Sequence, residues 1–203
     1  MKPSRSSVIA LIIANTVPLF GVLFFNWTIF QIFFLYWCES GVIGFYNSIK
    51  VIKMCGFESI LVVPFINVPL GLFMAVHFWL ILGFMAPELA PTSFSFFPSL
   101  ETLLPLLSPI VIPIGTLFVS HGFSFFSNFI GNREYEHMDI ARLISESYKR
   151  IGIMQISIIL GGMLIDLFDV PILGAAILVV AKLITDLHAH INEHSSKETE
   201  SPE

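Results

Sequence analysis

Five ionisable side chains stand inside stretches that otherwise hold almost nothing but carbon: Glu39, His77, His121, Lys182 and Asp186. A charge in hydrocarbon is costly, so such groups normally face a protein interior or a wet cavity, where they bind ions, pass protons or do chemistry. Lys182, Asp186, His190 and His194 recur every fourth residue and share one slowly drifting helical face. Two histidines four apart can hold one metal from adjacent helical turns, and Asp186 one turn earlier can add an oxygen. A subset of His77, His121, Asp186, His190 and His194 is therefore the expected ligand set for zinc or another divalent metal. An open coordination position would bring a bound water toward a pKa of about 7, leaving Glu39 as general base. Ser124 shares a face with His121 and Asn128 and is the second candidate catalytic group, whereas Ser120, next to His121 in sequence, cannot face it on a helix.

The same residues admit other readings. Lys182 and Asp186 can simply neutralise each other, Ser124 and Asn128 can hydrogen-bond between helices, and His190 and His194 can be solvated at a helix end. As a set, Glu39, His77, His121, Lys182 and Asp186 also suit a proton or cation relay. A fixed cation such as Lys182 beside a divalent metal favours the relay slightly. His77 and His121 are, in a third reading, haem ligands from two helices.

What must position these groups is a bundle of membrane spans. The chain has 203 residues, 55% of them hydrophobic and 12% charged, and a mean hydropathy of +0.84. That profile specifies an all-α polytopic membrane bundle rather than a water-soluble domain. Ten Lys and Arg against a net charge of -5 leave no basic surface for nucleic acid. Cys38 and Cys55 have no CxxC partner, so neither a disulfide framework nor a thiolate metal site is expected. Helical spans of about 20 apolar residues are read at 8–26, 28–49, 65–85, 107–130, 151–168 and 171–192. Asn26-Trp27 supplies the turn and interfacial anchor between the first two.

Orientation follows from the bases. Lys2, Arg5, Lys50, Lys53, Arg133, Arg142, Lys149, Arg150 and Lys197 all fall on one side of a six-span chain. The opposite connections carry Glu88, Glu101, Asp166 and Asp169 and no base, so both termini are expected in the cytoplasm and the protein in the plasma membrane. Residues 1–194 form a single six-helix domain and 195–203 a disordered acidic cytoplasmic tail. Residues 86–106, with four prolines and three Phe, read as an interfacial loop. Met138, Ala141, Ile144 and Tyr148 at helical spacing, with Arg142, Glu146 and Arg150 as i,i+4 partners, predict a short cytoplasmic amphipathic helix between the fourth and fifth spans. Counting inward from the cytoplasmic span ends puts the ionisable set at one depth, so Glu39, His121 and Asp186 are expected in one shared cavity. The partners implied are the lipid bilayer and, for a hydrolase, a membrane-embedded lipid amide or ester.

Tyr36-Trp37-x-Glu39, Ser120-His121-Gly122-x-Ser124-Phe125-x-x-Asn128, Glu134-Tyr135, Tyr148-x-Arg150-Ile151 and Lys182-x3-Asp186-x3-His190-x2-Glu193-His194 together carry a resemblance. From Asn15 to His194 the chain resembles an uncharacterised, domain-of-unknown-function family of six-helix prokaryotic integral membrane proteins. The resemblance implies a six-helix membrane domain whose signature includes the polar set and supplies no activity. In site logic alone, the HxxxH of the last span is similar to that of the seven-helix zinc hydrolases of the ceramidase and adiponectin-receptor type.

Overall fold

The computed structural model describes residues 20–21, 24–89, 98–168 and 180. They belong to two compact units, Phe30–Gln155 and, separately, Met1–Ile29 with Ile156–Glu203. All regular structure among the described residues is helical. The long helices are α1 (Ile29–Cys55), α2 (Ser59–Met85) and α5 (Ile140–Phe168). Between them lie the short α3 (Leu100–Leu107) and α4 (Val111–Ser124), which continues as a π-helix over Phe125–Gly131. Two stretches are long and apolar enough to cross a membrane: Ile29–Met85, 57 residues, and Leu100–Gly131, 32 residues.

The first of these folds back on itself because Gly56 takes a left-handed conformation, φ 56°, that costs a residue without Cβ nothing. The returning α2 is antiparallel to α1, as the contact register shows: Phe34 meets Phe78, Trp37 bonds the Met74 carbonyl, and Ser48 bonds Asn67. Gly44 makes this close approach feasible, since a Cβ there would sit 2.8 Å from Leu70 Cδ2. By contrast, α4 runs parallel to α1. Gln31 bonds the Leu106 carbonyl, Tyr46 bonds that of Phe118, and Lys50 lies over the Phe129 ring. Val42 and Tyr46 of α1 form a buried cluster with Phe125 and Phe129 of the π-helical continuation of α4, flanked by Ile49, Met54, Tyr135 and Met138. Outward faces carry large apolar side chains, with Phe65 and Ile112 each 80% exposed.

The structure corrects three boundaries. α1 runs to Cys55 and α2 starts at Ser59, both several residues beyond the expected limits. Residues 86–106 are not all loop: Ser99 caps α3 by accepting from the Thr102 amide at 3.3 Å, while residues 90–97 lie outside the described set. The amphipathic helix expected before the fifth span is the first part of α5 itself. No proline interrupts Ile140–Phe168, and Leu143, Ile144 and Tyr148 pack with α1 and α2 around a cavity of about 20 Å³ instead of lying apart. The turn expected at Asn26-Trp27 is present. Asn26 adopts φ 52°, and the Trp27 amide returns to the Gly21 carbonyl at 3.0 Å. The first span up to residue 19 and at 22–23, and the last span, Val180 apart, lie outside the described residues.

Candidate functional site inside the bundle

α2 contains no Asp, Glu, Lys or Arg, and His77 is its one titratable side chain. The ring is fully buried. Helical geometry brings Nδ1 to the carbonyl of Phe73, four residues back, at 2.6 Å, and packing of α5 brings the Ile151 carbonyl to 3.3 Å from Nε2. Both ring nitrogens thus face acceptors on two different helices. A neutral imidazole owns one N–H and can satisfy one of them, whereas an imidazolium donates to both. A metal ligand usually gives one N–H to a carbonyl and points the other nitrogen's lone pair at the ion. Here that second nitrogen is on Ile151, so metal binding by His77 requires the ring to leave the α5 carbonyl.

The other described candidates sit at different heights. Glu39 is half-buried on α1. By the α1–α2 register, His77 is level with residues 35–36, about one turn from Glu39. His121 is half-buried with its ring 6.5 Å from that of Tyr46, so it lies level with residue 46. That is seven residues, or roughly 10 Å, beyond Glu39 and roughly 15 Å beyond His77 along α1. Ser124 is exposed at the end of α4, and its Oγ accepts from Asn128 Nδ2 at 3.3 Å within the π-helical turn. Among the described residues, no three His, Cys, Asp or Glu side chains gather as a metal would require. Lys182, Asp186, His190 and His194, and with Asp186 the expected shared cavity, fall outside the described residues.

Reading ionisable groups alone passed over the neutral donors that tie the helices together. Gln31 is buried and gives Nε2 to Leu106 O at 2.6 Å, and Trp37 gives Nε1 to Met74 O at 2.7 Å. Tyr46 donates to Phe118 O at 3.0 Å, and Tyr148 donates to Ile66 O at 3.4 Å. That last contact lies beside Pro64 and Pro69 inside α2. Those prolines remove the donors for the Ile60 and Phe65 carbonyls, four residues back, so Tyr148 reaches the helix in the same turn but at a carbonyl neither proline frees. An amide within the Phe/Ile run around Gln31 was the available signal.

The chain belongs to DUF6498, a family of unknown function. The match covers residues 1–203. DUF6498 membership bears out the resemblance to an uncharacterised family; no curated protein and no solved structure matches the chain.

Proposed function

We propose that this DUF6498 chain is a six-span membrane protein with both termini in the cytoplasm, and that it binds and moves protons or a small cation through polar groups of its cytoplasmic half. The observation that carries this is His77: fully buried, in a helix without another titratable group, with each ring nitrogen on a carbonyl of a different helix. A proton arriving there converts one unsatisfied contact into a donated hydrogen bond, and its loss reverses this. Glu39, about one turn away in height, is the nearest described carboxylate by register and the natural exchange partner or counter-charge. Antiparallel α1–α2 and parallel α1–α4 agree with alternating spans, and the one-sided bases set the orientation.

Proton flux in proteoliposomes tests the relay. Movement abolished by Glu39→Gln supports it, and flux equal to that of empty vesicles removes it. A second reading, a zinc-dependent hydrolase acting on a membrane-embedded lipid, draws its support from the Asp186, His190 and His194 spacing, with Glu39 as base and Ser124 as an added catalytic group. Under that reading, purified protein carries about one metal equivalent; less than about a tenth, unchanged after zinc supplementation, excludes it.

A further inference from the structure

The turn joining α1 and α2 combines two features that point to one ligand. Lys50 and Lys53, in the last two turns of α1, lie with their ammonium groups 5.4 Å above the Phe129 ring and 5.2 Å above the Tyr135 ring. The aromatic cluster thus supports both cations at one end of the bundle, where cation–π attraction limits their wandering. Directly beyond them the chain turns at Gly56 and exposes Phe57 (87%), Leu61 (79%) and Ile60 (61%). Water would be a poor neighbour for these side chains and hydrocarbon a poor neighbour for the lysines, but the headgroup layer accepts both. Among the described residues, other charges near this end include Arg133 with Glu136, 3.6 Å apart, Glu58, Glu134, Asp139 and Arg142.

We infer that this turn is seated in the headgroup layer of the cytoplasmic leaflet and that Lys50 and Lys53 hold the phosphate of an anionic phospholipid, while Phe57, Ile60 and Leu61 enter the acyl boundary. This rests on the orientation proposed above. A zwitterionic lipid brings its own cation against the two lysines; an anionic lipid does not, and the difference amounts to about fivefold in relative affinity per lysine.

A tryptophan at the turn, Phe57→Trp, reports the neighbouring lipid. The full chain is reconstituted in mixed phosphatidylglycerol and phosphatidylcholine, with one or the other brominated, and the quenching of the parent protein is subtracted. Preferential quenching by brominated phosphatidylglycerol is expected, reduced about fivefold by Lys50→Gln or Lys53→Gln and kept by the Arg replacements. Equal quenching by the two lipids overturns the phosphate site but leaves the orientation standing. Absence of quenching by either removes the turn from the membrane surface and overturns the phosphate site, whereas failure of the orientation itself is read separately, from Cys55 labelling in inside-out and right-side-out vesicles. Erasure of the preference by inorganic phosphate overturns the lipid assignment in favour of any phosphate.

Discussion

Replacing Gly122 by Ala tests the parallel seating of α4 on α1 with a change of one methyl group. A Cβ at this position would lie 2.6 Å from the Tyr46 hydroxyl, the group that donates to the Phe118 carbonyl at 3.0 Å. The methyl therefore displaces the ring, at a cost of about 1–3 kcal/mol for overpacking, and breaks a hydrogen bond contributing about 1 kcal/mol. Better helix propensity of Ala returns about 1 kcal/mol. The net is a destabilisation of about 1–3 kcal/mol. Tyr46→Phe alone should cost about 1 kcal/mol, but it removes the colliding oxygen and leaves the ring carbon 3.4 Å away, an approach that a slight shift relieves. In that background Gly122→Ala should be close to neutral, giving a coupling of about 2 kcal/mol between the two positions. Thermal unfolding of the four proteins in one detergent, read as Tm and by loss of the monodisperse peak, measures it. An equal effect of Gly122→Ala with and without the Tyr46 hydroxyl would refute the packing of α4 on α1.

Other consequences follow from the same contacts. His77→Phe should destabilise by about 1 kcal/mol through loss of the hydrogen bond that its ring N–H donates to a helix carbonyl, with His77→Gln, which keeps an N–H, costing less in the same melts. Asn67→Leu removes bonds to Ser48 Oγ at 2.8 Å and to Val63 O at 2.9 Å, and should lower hairpin stability by about 1–2 kcal/mol. Cys55, half-buried at the end of α1, should react with a membrane-impermeant maleimide in inside-out vesicles and not in right-side-out ones; the reverse pattern would invert the topology.

Local signals in the sequence identified several elements. The Asn26-Trp27 turn, with Asn26 left-handed, and the break after the first described span were marked by single residues and by the Lys50 and Lys53 that follow the apolar run, whereas the left-handed Gly56 and the Gly44 approach to Leu70 show only in the packing. Depth was harder to read. Counting residues from each span end assumed that all helices stop at one plane, whereas α1 continues to Cys55 and α4 passes into a π-helix that ends at Gly131. In that wider turn Ser127 Oγ takes the Phe123 carbonyl at 2.8 Å and Asn128 reaches back to Ser124, polar competition for the helix ladder that apolar periodicity does not register. His121 consequently lies roughly 10 Å from the height of Glu39. The amphipathic pattern of 138–148 was real, but its apolar side packs with α1 and α2 around a cavity, and periodicity cannot distinguish a helical neighbour from a membrane surface. His77 was legible as a titratable group in an apolar helix; its two carbonyl partners were not, because one of them belongs to a residue 74 positions away.

The most direct test of the proposed function is proton entry into proteoliposomes holding the purified full chain, followed with an internal pH dye after an imposed pH step. Wild-type protein is predicted to conduct well above empty vesicles, and His77→Gln, which places an amide where the ring nitrogens now meet Phe73 and Ile151, to fall to the empty-vesicle rate while melting as a folded protein. Wild-type flux that His77→Gln leaves unchanged would contradict the role given to this buried histidine.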